Sequence, residues 1–288
     1  MSTPTAGLQP GIGLTTDRPE IHPRGVLAES LVMVRRNLRH IKRQPEMLMD
    51  VTIQPIMFVL LFAYVFGGSI QIGGQSGVNY REWLLPGIMG QTMAFASFIV
   101  AIGLNNDLDK GIIDRFRSLP MSRSSVLVGR SLAALLHSSI GIVVMALTGL
   151  VIGWRIGGGP ANAVLAFLLL LAFGFAMIWI GIWVGSAMRS VEAVNGVMFT
   201  TMFPITFLAN TFAPPANMPT WLRTIAEWNP ISALVQALRE LWDNYPDLAP
   251  SAAWPLRHAV WVSLGWSVLI TVVVAPLALR AYRRRTTD

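Results

Sequence analysis

The chain has 288 residues, 53% of them hydrophobic and only 13% charged, with a mean hydropathy of +0.54. A soluble domain carries roughly a quarter charged residues, so this composition excludes most soluble classes, and its apolar content excludes intrinsic disorder. Without a cysteine there is no disulfide, no thiolate-bound zinc and no thiolate nucleophile; the net charge of +7 has to be read from where the charges lie.

Residues 1–25 are polar, rich in Pro, Gly and Thr, and have no apolar run of the secretory-signal kind. They are expected to form a flexible cytoplasmic tail. Residues 26–46 follow as a basic amphipathic helix. Leu27, Leu31, Val34, Leu38 and Ile41 line one face, while Arg35, Arg36, Arg39, Lys42 and Arg43 line the other. That pattern suits a helix lying in the membrane interface, as a surface anchor or as a docking element.

A spanning helix needs about 20 mostly apolar residues. Six stretches of residues 47–288 meet this: 48–66, 84–104, 126–152, 163–188, 193–209 and 259–279. The expected fold is therefore an all-α polytopic membrane protein with six transmembrane helices. Gly149 and Gly153, and likewise Gly181 and Gly185, stand four residues apart and would permit close helix approach.

Between the second and third stretches lies the loop 105–125. Leu104, Leu108, Ile112 and Phe116 recur every fourth residue, so the second helix is expected to continue past the membrane until Pro120 ends it. Asp107, Asp109, Lys110, Asp114, Arg115 and Arg117 populate its other faces. A short ridged helix of this kind fits a groove on a cytosolic protein; the alternative is a solvated loop whose basic residues only set topology.

The longest segment between spans is 210–257. Pro219-Thr220 opens a short helix with Trp221, Leu222 and Ile225. Asn229-Pro230 then supplies an N-cap and a first-turn proline. Ile231, Leu234, Val235, Leu238, Leu241 and Trp242 form an apolar face beyond it. These read as extracellular re-entrant or interfacial helices, which either gate an exit path or cap the bundle.

With the N-terminus inside, 17 of the 22 Lys and Arg residues fall on inner segments, which places both termini in the cytoplasm. Trp83, Trp154, Trp221, Trp228, Trp242, Trp254 and Trp261 fall on or beside outer segments, and are expected in the headgroup layer. The basic excess thus speaks for topology and anionic lipid, not for nucleic acid.

Neither lysine follows a glycine, so no phosphate-cradling loop exists. No HExxH pair is present, and neither catalytic nor metal-ligating residues are expected. His137 lies within a span beside Ser138 and Ser139; an intramembrane enzyme centred on it is the reading from a different class. Asp50 and Glu82 sit at span ends, which disfavours ion-coupled transport. Met93, Phe95 and Phe98 on the second span, with Met198, Phe199, Met202 and Phe203 on the fifth, suit either an apolar substrate path or ordinary helix packing.

The stretch from Phe207 to Arg239, FLANTFAPPANMPTWLRTIAEWNPISALVQALR, resembles the signature region of ABC-2 type permeases through Asn229, Pro230, Ser232 and Arg239. The segment from Asp107 to Arg130 looks like the coupling loop of that family. Among its members the chain is most similar to the daunorubicin-resistance type of drug-export permease. The resemblance implies a plasma-membrane subunit, of a bacterium, that pairs with itself and with two copies of a separate cytosolic ATPase. ATP and Mg would be held by that partner, and this chain would carry no cofactor. Asp107, Asp109, Lys110, Gly111, Asp114, Arg115, Phe116 and Arg117 would meet the ATPase, together with the amphipathic helix. The cargo implied is a hydrophobic drug or antibiotic, with a lipid or a glycan as the alternative.

Overall fold

The computed structural model describes residues 45–66, 80–110, 123–215, 218–244 and 252–285, without the side chains of 45–52, 66 and 123–125. The tail 1–25, the amphipathic segment with Arg35, Arg36 and Arg39, and the loop residues Gly111, Asp114, Arg115, Phe116 and Arg117 lie outside the described residues. Among the described residues all regular structure is helical: α1 (Pro45–Leu61), passing into a π-helical turn (Phe62–Phe66), α2 (Tyr80–Asp109), α3 (Arg123–Val151), α4 (Gly159–Ala187) and α5 (Val191–Leu208). Three short helices follow, α6 (Thr220–Trp228), α7 (Pro230–Trp242) and α8 (Trp254–Arg257), and the long α9 (Ala259–Arg285) ends the chain's regular structure.

Among the described residues five helices are long and apolar enough to cross a membrane: α2, α3 from Val126, α4, α5 and α9. The first expected span is not among them; there the described side chains give an apolar helix Ile53–Val65, which runs from α1 into the π turn. The boundaries expected from hydropathy shift as well. Helix α2 begins at Tyr80, ahead of the expected span 84–104, and runs past its end to Asp109, in keeping with the recurrence of Leu104 and Leu108. Its polar ends are tolerated because they find partners, such as Arg81, which donates to the Ile152 carbonyl at 3.2 Å. Helix α9 continues beyond 279 to Arg285; three arginines in its last turn suit the negative end of the helix dipole.

Helix α4 is the centre, packed along α2 on one side and α9 on the other, while α7 wedges between α2, α4 and α9. The α2–α4 contact depends on two glycines. A Cβ on Gly181 would lie 2.1 Å from the Ser97 carbonyl oxygen, and one on Gly185 would lie 2.5 Å from that of Ala101. The other expected pair divides. Gly149 packs under Leu85, whereas Gly153 has φ of +105° and open space around it. Gly153 therefore serves the turn out of α3 and not helix approach. Helix α5 carries Pro204 inside a continuous helix and lies against α2.

Candidate functional site

The Asn-Pro-Ile-Ser element forms a polar hub at the Tyr80 end of α2. Proline at the first position pre-sets the helical φ, and its missing N–H costs nothing there. The side chain of Asn229 works in both directions. Its Oδ1 accepts from the Ile231 N–H at 2.9 Å, and its Nδ2 donates to the Ile205 carbonyl at 2.6 Å. That carbonyl belongs to the last turn of α5, where intrahelical partners run out. Ser232, one turn later, accepts the Asn210 N–H on its Oγ at 3.0 Å.

Two further turns bring Arg239 onto the same face. It is 1% exposed. Its Nε donates to the Trp83 carbonyl at 2.9 Å, and its Nη2 donates to the carbonyls of Asn210 at 3.0 Å and Thr211 at 3.5 Å. The guanidinium also lies 3.8 Å from the centre of the Trp83 ring. A buried charge is costly unless it is hydrogen-bonded; three carbonyl oxygens and an aromatic face meet that requirement here. The hub thus joins the exit of α5, the start of α2 and the whole of α7.

The link from α3 to α4 closes on the far end of α7. Trp154 donates through Nε1 to Asn244 Oδ1 at 2.7 Å, and Asn244 Nδ2 donates to the Arg155 carbonyl at 2.8 Å. Trp154 meets Trp242 edge-on at 5.1 Å. Trp83, Trp154 and Trp242 are therefore core residues rather than headgroup anchors. The indole bodies are large enough to fill the space where several helices converge. Trp221, Trp228, Trp254 and Trp261 are exposed.

A second polar cluster ties the Asp109 end of the bundle. Asn105 donates through Nδ2 to the carbonyls of Gly185 at 3.0 Å and Met188 at 2.8 Å, which holds α2 against the C-terminal turn of α4. Asp107 pairs with Arg130 of α3. Asp109 pairs with Arg285 of α9 at 2.6 Å, and Arg285 also donates to the Met188 carbonyl. Lys110 is exposed beyond this cluster. Partly exposed pairs of this type contribute about 0–1 kcal/mol each, so they set position more than stability. Asp109→Arg is expected to lower the unfolding midpoint by a few degrees, and Arg285→Asp in the same chain to restore part of the loss. A double variant no better than the single one would show that the pair does not form.

Between α1, α2 and α3 lies a cavity of about 510 Å³, lined among others by Phe58, Gln91, Phe95, Ile99, His137 and Ser138.

The sequence model of the ABC-2 type transporter matches residues 29–241, which contain both polar clusters except Arg285, Asn244 and α9. The chain belongs to the ABC-2 type transporter family. It is 31% identical over 259 residues to the daunorubicin resistance ABC transporter permease protein DrrB1 of Streptomyces coeruleorubidus, covering 90% of this chain and 87% of the relative. It is 26% identical over 226 residues to the doxorubicin resistance ABC transporter permease protein DrrB of Mycobacterium tuberculosis, covering 77% of each. These relatives are permeases of drug-resistance ABC transporters, and this chain is a multi-pass membrane protein of the same family.

In this ABC-2 protein the seven side chains expected along a substrate path do not share one surface. Met93, Met198 and Met202 are buried in the core, and Phe98 packs against that core. Only Phe95 lines the cavity. Phe199 and Phe203 are exposed and begin a stacked series: Phe199–Phe203 at 5.0 Å, Phe203–Phe207 at 4.3 Å, Phe207–Phe212 at 5.5 Å and Phe212–Phe62 at 4.9 Å. Sequence reasoning missed Gln91, Asn105, Asn244 and Arg285. Gln91 carried a visible signal, a carboxamide inside an otherwise apolar run; the others became meaningful only once distant helices met.

Proposed function

We propose that this chain is the membrane subunit of an ATP-driven exporter that moves hydrophobic drugs or antibiotics out of the cell. The likeness to a daunorubicin resistance permease across 90% of the chain carries this reading. The polypeptide crosses the membrane six times, with α1 and its π turn as the first crossing and both termini in the cytoplasm. It pairs with a second copy, for which the stacked phenylalanines left uncovered on α5 offer a surface. Two copies of a separate ATPase hold ATP and Mg, since this chain has no Gly-Lys dipeptide for a phosphate loop.

Asp107, Asp109 and Lys110, with Gly111, Asp114, Arg115, Phe116 and Arg117 beyond them, face that ATPase, and Arg35, Arg36 and Arg39 flank it. Helix α2 has 30 residues without interruption, a rod of about 45 Å. A push on the loop at its Asp109 end therefore reaches the Arg239 hub at the other, and the spans shift between inward and outward openings.

The test is ATP-dependent uptake of daunorubicin into inside-out vesicles holding this chain and the ATPase encoded beside it. Flux is expected only with both subunits, and flux without the ATPase ends this reading. Uptake of a defined lipid or glycan in place of the drug supports the alternative cargo. Asp114→Ala and Arg115→Ala are each expected to weaken co-purification of the ATPase about tenfold, a loss of ~1.4 kcal/mol of docking energy. Unchanged co-purification would remove the loop from the docking surface.

A further inference from the structure

Halfway along α2 a carboxamide opens onto the cavity without a hydrogen-bond partner among the described residues. Gln91 is 6% exposed, yet among the described residues its side chain forms no hydrogen bond, and it faces the cavity between α1, α2 and α3. The adjacent Thr92 is satisfied, with its Oγ1 donating to the Ile88 carbonyl at 2.9 Å. The polar atoms of Gln91 are not sealed off, so they are available to a polar group that enters the cavity.

The surrounding walls define what can. At about 510 Å³ the cavity has the size of a drug-binding pocket. Phe58, Phe95, Ile99 and Met145 make it mainly apolar, and Met145 adds an adaptable surface. Ser138 and His137 face it from α3 and Gln54 from α1, and among the described residues no Asp, Glu, Lys or Arg lines it. A glutamine offers both donor and acceptor.

We propose that this cavity binds an uncharged, mostly aromatic or aliphatic small molecule whose carbonyl or hydroxyl group hydrogen-bonds to Gln91. Naming that molecule as cargo rests on the exporter reading; the binding itself does not.

The test is photolabelling of the full-length protein in phosphatidylcholine nanodiscs with para-hydroxybenzophenone, which is uncharged and carries both groups. Saturable adducts are expected on the peptides of α1, α2 and α3 that contain Phe58, Phe95 or Met145. Gln91→Leu is expected to weaken that labelling about tenfold, as the loss of its hydrogen bonds would. Ser138→Leu, at a less buried position, fills the same space from the opposite wall and should do likewise even if Gln91→Leu does not fold. Adducts that never saturate, or that persist unchanged in the folded variants, overturn the site. Saturable labelling without ATP-driven flux from the wild type ends the exporter reading and leaves the site standing; flux without saturable labelling does the reverse.

Discussion

Arg239→Leu is expected to leave little folded permease and to abolish export. The substitution strands the carbonyls of Trp83, Asn210 and Thr211, all of which now accept from one guanidinium. Hydrogen bonds to charged groups contribute about 1.5–3 kcal/mol each, so the loss is on the order of 5 kcal/mol, comparable with the whole stability of many domains. Arg239→Lys should recover only part of this. An ammonium is a single point of charge that cannot fork between Trp83 and Asn210, and it does not stack on the indole as a planar group does. Monodisperse yield and unfolding midpoint in detergent are the measurements. A wild-type midpoint in Arg239→Leu would mean that the hub does not hold the fold.

Gly181→Ala is expected to destabilise the bundle by ~2–3 kcal/mol, within the range for overpacking. In a helix interior the same change normally stabilises by about 0.5–1 kcal/mol, so the sign decides between local propensity and packing. Here the added carbon would lie 2.1 Å from the Ser97 carbonyl oxygen. Backbone cannot rotate away as a side chain can, so α2 and α4 must separate. Gly196 on α5 provides the control, since nothing lies within 4 Å of its added carbon; Gly196→Ala should be neutral or stabilising. Similar thermal unfolding for the two variants would show that α2 and α4 do not touch along this ridge.

The features readable from the amino acids alone were those set by neighbours in the chain. Apolar runs marked five of the long helices, and Asn229-Pro230 marked the start of α7 because capping needs only local groups. The recurrence of Leu104 and Leu108 foretold that α2 passes beyond its apolar stretch, and it does so to Asp109. What stayed illegible depended on distant segments. Trp83, Trp154 and Trp242 have the same local look as the exposed Trp221, and only the convergence of α2, α4 and α7 separates them. The partners of Asp107 and Asp109 within the bundle, Arg130 and Arg285, were equally invisible, because they lie on other helices. Of the residues expected to line a path, only Phe95 could be assigned to the cavity, because periodicity does not tell which side of a fully apolar helix faces a gap.

The hydrogen bonds that the side chains of Arg239, Asn229 and Asn105 donate share one property: each ends on a main-chain oxygen, at Trp83, Asn210, Thr211, Ile205, Gly185 and Met188. An oxygen of that kind is present whatever residue occupies the position. Evolutionary drift at the accepting sites therefore leaves these bonds intact, and the constraint falls on the donor alone. Compensating changes between relatives will not mark such contacts, so methods that infer proximity from paired substitutions are blind to these joints, though not to Asp109–Arg285 or Trp154–Asn244.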